Sequence, residues 1–197
     1  MEKIEELDKI IVEEVKKAVQ VMRDGGIILY PTDTVWGIGC DATNTDAVSR
    51  IYALKRRADS KSMLCLCDSM ARVSQYVKEI PEIAYDLTEL AEKPLTIIYP
   101  DAVNLAPNLI AEDGSVGLRI TSEKFSKYLC GALKKPVVST SANISGEPAA
   151  ATFYEISDEI KSGVDYIVDY RRGDKEKKQP SGIIKLEKNG TFVFLRK

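Results

Sequence analysis

The chain has 197 residues, 44% of them hydrophobic and 29% charged, which excludes a disordered chain and suits one soluble domain spanning residues 1–197. There is no histidine among them, so Ser-His-Asp and Cys-His nucleophile systems are excluded, along with the commonest zinc ligand. Net charge is −2, but residues 171–197 carry nine basic side chains against three acidic, and Arg50 to Lys61 carry five against Asp59; such patches suit an anionic ligand.

In chain order, Leu7, Ile10, Ile11, Val15, Ala18, Val19 and Met22 recur at helical spacing, and Gly25-Gly26 ends the run. Residues 27–30 read as a buried strand stopped by Pro31, and residues 32–44 as a Thr/Gly-rich loop. Thr45 is the expected cap of a helix from about Asp46 to Arg57. A strand at 63–67 places Cys65 and Cys67 on one face as small buried hydrophobes. Ser69 caps a short helix, and Pro81 opens another. Strands follow at 95–100 and 115–120, then a helix capped by Ser122 and running to about Leu133. A strand at 136–140 leads into Ser141-Ala142-Asn143-Ile144-Ser145-Gly146. The Thr152…Glu155 pattern suggests a capping box. After a strand at 165–170, Asn189-Gly190 joins two final strands as a hairpin. Residues 171–180 read as a surface loop over the ligand. The alternation argues an α/β fold with a mixed sheet.

The amino-terminal stretch carries no secretory pattern, and no run approaches 18 apolar residues. The expected compartment is therefore the cytoplasm, with no membrane partner. The sequons at Asn143 and Asn189 then carry no meaning. The Walker pattern is absent. Gly37-Ile38-Gly39-Cys40-Asp41-Ala42 matches G-x-G-x-x-A only on paper, lying inside a loop with no acidic partner in place.

Three segments are more unusual. Tyr30 to Gly37 follows a buried strand and is dense in hydroxyls. Lys55-Arg56-Arg57 with Lys61 ends a helix. Ser139 to Gly146 again follows a buried strand. Loops at the carboxyl ends of strands are where open α/β sheets place ligands. Uncharged Ser, Thr and Asn suit hydrogen bonds to phosphate, ribose or an amino-acid headgroup.

These segments, with Gly117-Leu118-Arg119-Ile120, Pro180-Ser181-Gly182-Ile183-Ile184 and the closing Phe194-Leu195-Arg196-Lys197, resemble in order the motifs of the YrdC-like threonylcarbamoyl-AMP synthase family, over about residues 12–197. The resemblance implies a single-domain YrdC-like fold, a twisted mixed sheet with flanking helices around a concave basic site. It implies condensation of L-threonine, bicarbonate or CO₂ and ATP to threonylcarbamoyl-AMP and pyrophosphate, with Mg²⁺ accompanying ATP. The product would feed threonylcarbamoyladenosine formation in tRNA, so tRNA or a downstream transfer complex is a further expected partner. Carried over residue by residue, Lys55, Arg57, Ser141 and Asn143 are the expected catalytic set. Arg57, Lys61, Ser115, Ser141 and Arg196 are the expected ATP contacts, and Thr34, Arg119, Ser139 and Ser181 the threonine contacts; no metal-ligating residue is expected.

The chain departs from the family pattern at Ser62-Met63, Leu66, Thr121 and Gly182. Two other readings compete: an RNA-binding module without catalysis, using the same basic face, and an enzyme that adenylates a carbamoyl substrate instead of threonine.

Overall fold

The structure is a computed structural model that describes residues 2–58, 62–176 and 178–196, with side chains from residue 7 onward. Helix α1 (Glu2–Arg23) leads into β1 (Ile28–Tyr30), β2 (Gly37–Gly39), α2 (Thr45–Leu54), β3 (Leu64–Cys67), the single turn α3 (Met70–Val73) and α4 (Ile83–Glu89). Then follow β4 (Leu95–Tyr99), β5 (Val116–Ile120), α5 (Lys124–Leu133), β6 (Val137–Ser141), α6 (Asp158–Gly163), β7 (Tyr166–Ile167), β8 (Gly182–Leu186) and β9 (Phe192–Arg196). The strands form one open, mixed sheet in the order β7-β1-β2-β6-β3-β5-β4-β8-β9. Strand β6 runs antiparallel to both of its neighbours, β2 and β3.

Strand alternation divides the interior into two cores. Ile28, Tyr30, Leu66 and Val137 point to one face, where α1 and α5 cover them through Ile11, Val15, Phe125 and Leu129. Leu29, Cys65, Cys67 and Val138 point to the other, against Val48 and Ile51 of α2. Cys65 and Cys67 do share a face, buried and reduced, and burial pushes the Cys67 thiol up to about 12. The amino-terminal helix ends as its glycines predict: the Gly26 amide reaches back to Val21 O at 2.8 Å, and Gly25 sits at φ +82°.

The structure corrects several boundaries. The Thr/Gly-rich loop contains β2, whose glycines are required: a Cβ on Gly39 would lie 2.7 Å from the Tyr30 ring. A glycine pair inside a strand thus reflects close packing and not a phosphate loop. Helix α2 is capped one residue earlier than expected, by Asn44, whose side chain accepts from the Ala47 amide at 3.0 Å. The helix stops at Leu54, and Arg56 takes a positive φ of 49°. Glu123, not Ser122, caps α5. Residues 153–155 form only a 3₁₀ turn, in which Glu155 accepts from Ala151 rather than from Thr152. The next helix starts at Asp158, behind Ser157. The expected strand at 165–170 shrinks to Tyr166–Ile167, because Arg172 takes the carbonyls of Ile167 and Val168.

Candidate active site

Helices α1 and α5 leave part of their sheet face uncovered, and the uncovered part is a cleft of about 500 Å³. Register explains its floor. Gly37 pairs with Ser141, Leu64 with Ser139, Leu66 with Arg119, Ile98 with Gly117, Thr96 with Ile183 and Ile183 with Arg196. Paired residues share a face, so β2, β6, β3, β5, β4, β8 and β9 each contribute floor residues. The sequence predicts a site in loops beyond strand ends; the structure builds most of it on the sheet face, with residues 34–35, 143–149 and 180–181 as walls.

Of the residues singled out in the sequence, Thr34, Arg57, Ser115, Arg119, Ser139, Ser141, Asn143, Ser181 and Arg196 all line this one cleft. Lys61 lies outside the described residues. Lys55 is 1% exposed and sits behind the wall. Its ammonium donates to Ser141 O and, at 2.6 Å, to Asn143 O. Its own carbonyl accepts from the Ser145 amide at 2.8 Å. Burial, with repulsion from Arg57, pulls the Lys55 ammonium down to about 8. Lys55 therefore fastens the 141–145 segment to the end of α2.

Among the described cations that line the cleft, Arg119 is the most buried, 3% exposed. It donates to Asp33 at 2.8 Å and to the Thr34 hydroxyl at 3.4 Å. Thr32 accepts from the Thr34 amide and donates to Val35 O at 2.7 Å, and its oxygen lies 3.1 Å from the Thr34 hydroxyl. With the Thr32 proton committed to Val35, the Thr34 hydroxyl donates to Thr32 and is left to accept from Arg119. The Nε of Arg119 and the Oδ1 of Asn143 are buried without a partner, one donor and one acceptor left for a bound molecule. Asn143 is held by donating to Ile144 O and Glu147 O.

The other cations differ. Arg57 donates to Ser62 O at 2.8 Å, and burial lowers its guanidinium pKa. Arg196 donates to Ser181 O at 2.8 Å and to the Ser181 hydroxyl at 3.4 Å, and that hydroxyl lies 2.9 Å from Thr96 Oγ1. Ser115 is oriented by Asp113, which accepts from both its amide and its hydroxyl. Sequence reasoning did not single out Thr32, Asp33 or Thr96. Thr32 and Asp33 were visible only as part of a polar loop, and Thr96 as a polar residue in an apolar strand.

Four cations of the basic carboxyl-terminal stretch are paired with nearby carboxylates. Arg171 pairs with Asp174, Arg172 with Asp169, Lys185 with Asp113 and Lys188 with Asp101. Arg171 also donates to Thr32 O at 3.1 Å, tying the start of the 171–180 loop to the hydroxyl-rich wall, while Pro180 and Ser181 line the cleft at its other end. Among the described residues no group of three or more Asp, Glu, Cys or His could hold a metal ion. Among the described residues the cleft offers one carboxylate, Glu147. That donor set fits a Mg²⁺ carried by phosphate and water, not a protein cage. Among the same residues no helix is long and apolar enough to cross a membrane.

An open mixed α/β sheet with a hydroxyl- and arginine-lined face is what defines the class here. Residues 20–197 match the Sua5/YciO/YrdC family model, described as telomere recombination, and the chain belongs to that family. It is 35% identical over 153 residues to a threonylcarbamoyl-AMP synthase of Hahella chejuensis, covering 77% of this chain and 83% of that protein. It is 39% identical over 137 residues to the Stutzerimonas stutzeri protein of the same name, covering 69% and 74%. The crystal structure of P. abyssi Sua5 complexed with L-threonine superposes with a TM-score of 0.81 at 26% identity, covering 92% of this chain. The chain spans only 53% of that longer Sua5. E. coli YciO gives a TM-score of 0.80 at 26% identity, covering 93% and 88%.

Proposed function

We propose that the protein is a threonylcarbamoyl-AMP synthase, a nucleotidyltransferase that joins L-threonine, CO₂ or bicarbonate and ATP. The observation that carries this reading is the meeting of Thr34, Arg57, Ser115, Arg119, Ser139, Ser141, Asn143, Ser181 and Arg196 in one cleft, in a chain whose relatives bear that enzyme's name. The nitrogen of threonine adds to CO₂ and loses a proton, giving a carbamate. A carbamate oxygen then attacks the α-phosphorus of ATP, a new P–O bond forms, the bond to the β-phosphate bridge breaks, and pyrophosphate leaves.

In this assignment the buried end of the cleft takes the amino acid. Arg119 meets its carboxylate, while Thr34, Ser139 and Ser181 meet its polar groups. Arg57, Ser115, Ser141 and Arg196 meet ATP, with Lys61 the remaining cation of that set. Lys55 and Asn143 hold the wall against which the two substrates lie. Mg²⁺, when bound with ATP, supplies charge neutralisation on the phosphates. The site must hold both substrates close together and off bulk water, and fixed cationic charge supplies most of the stabilisation of the phosphates as charge builds on them. No step calls for histidine. The mixed anhydride is the threonylcarbamoyl donor for tRNA modification in the cytoplasm.

The direct test is incubation with ATP, Mg²⁺, bicarbonate and L-threonine, each omitted in turn, with mass detection of the anhydride and a pyrophosphate assay. Threonine-dependent pyrophosphate release with the matching mass supports the reading. Turnover on carbamoyl phosphate in place of threonine and bicarbonate, or salt-sensitive RNA binding without turnover, replaces it.

A further inference from the structure

Asp33 is the carboxylate that meets Arg119. Asp33 lies between the two threonines of the hydroxyl-rich wall and is outside the cleft lining. It accepts from the guanidinium at 2.8 Å, with both side chains buried, 3% exposed for Arg119 and 7% for Asp33. Its other side faces a second cavity, of about 250 Å³, on the far side of β5, where Leu118 and Ile120 also point. The contact is specific in its geometry. Asp33 and the Thr34 hydroxyl both bind the same terminal nitrogen of Arg119, and Nε is buried with no hydrogen-bond partner among the described residues.

We infer that Asp33 is a positioning residue for the amino-acid substrate: it holds the Arg119 guanidinium at one end, so that the remaining donors face the substrate carboxylate. This rests on the synthase reading and deepens it. Two physical consequences separate the role from mere support of the fold. A carboxylate substrate binding a loosened guanidinium must bear the cost of ordering it, so affinity for the amino acid falls while affinity for ATP, held by residues on β6, β9 and the 115 loop, does not. And because Asp33 borders an empty cavity, a longer acid has room to keep the same contact.

The test is threonine binding by calorimetry, with KM for threonine and for ATP, in the wild-type chain and in Asp33→Asn, Asp33→Glu and Arg119→Ala. Asp33→Asn is expected to weaken threonine binding roughly 10- to 100-fold, the worth of a hydrogen bond between charged groups. Its KM for ATP should stay within about threefold on the same footing. Asp33→Glu is expected to restore threonine binding to within about threefold of wild type. In an Arg119→Ala background, adding Asp33→Asn should cost almost nothing further. Equal threonine affinity in wild type and Asp33→Asn, or a parallel rise of both KM values, overturns the positioning role while the synthase reading stands. Failure of the wild-type chain to bind threonine overturns both. Should Asp33→Asn not fold, Asp33→Glu decides: a loss of threonine affinity as large as in Arg119→Ala in a folded protein overturns the proposal.

Discussion

Two arginines of one cleft sit in opposite electrostatic settings. Arg119 is buried, meets a buried carboxylate, and belongs to a hydroxyl chain ending on a backbone oxygen. Arg196 is exposed, at the rim on β9, and donates only to the neutral oxygens of Ser181. A guanidinium already balanced by a fixed acid suits a small ligand that must be oriented. One whose charge is not cancelled suits a polyanion that must be attracted. The two ends of the cleft thus divide the work before any substrate is present.

The largest expected effect breaks the oriented end. Arg119→Ala should lower threonine-dependent pyrophosphate release by roughly 100-fold or more, in line with removing one fixed charge from a water-poor site. ATP binding should stay near wild type. An equal loss of both, measured by titration with each substrate, would collapse the division. Removing the attracting charge is expected to do less: Arg196→Ala should weaken ATP binding roughly tenfold, leave threonine binding unchanged, and flatten the dependence of ATP affinity on salt. A salt dependence identical to wild type counts against Arg196 as the polyanion contact.

Lys55 sharpens the comparison from beneath. Its ammonium has a folded-state pKa of about 8 against an ordinary 10.5, so from pH 8 to 10.5 the unfolded chain holds the proton that the folded chain has released. Stability contributed at this position therefore rises as pH climbs through that window, and its desolvation cost stands in full below it. Chemical denaturation of wild type and Lys55→Met at pH 7.5, 9 and 10 should show wild type gaining relative to the variant. A constant gap means that no such shift exists. The smallest effect is expected at the exposed surface. Lys185→Ala breaks an exposed pair with Asp113, and its cost should not exceed about 0.5 kcal/mol, vanishing at high salt.

Much of this arrangement was legible in the chain itself. Gly25-Gly26 stops α1, Ser69 caps α3, and Asn189-Gly190 turns the final hairpin, because each of these signals acts over a few residues. The period of two puts Cys65 and Cys67 on one face, where both are buried. What escaped depends on contacts distant in sequence. Gly37 and Gly39 read as loop because their reason for being glycine is the Tyr30 ring and the β6 backbone. Thr152 and Glu155 carry a helix-start pattern, yet Phe153 packs on Trp36 at 4.9 Å and the chain turns there instead. Resemblance assembles nine residues that the structure places in one cleft. Their settings are not legible locally: nothing local distinguishes a lysine clamped on two carbonyls from one that reaches a phosphate, or an arginine facing an acid from one facing solvent.

Strand β6 carries a final consequence. It is hydrogen-bonded on both edges, to β2 and to β3, and it presents Ser139 and Ser141 to the open side. Those hydroxyls are therefore anchored in the stiffest kind of backbone a sheet offers, slow to exchange its amide protons. Whatever adjusts around an arriving molecule must come down from above, while the ground it lands on stays still.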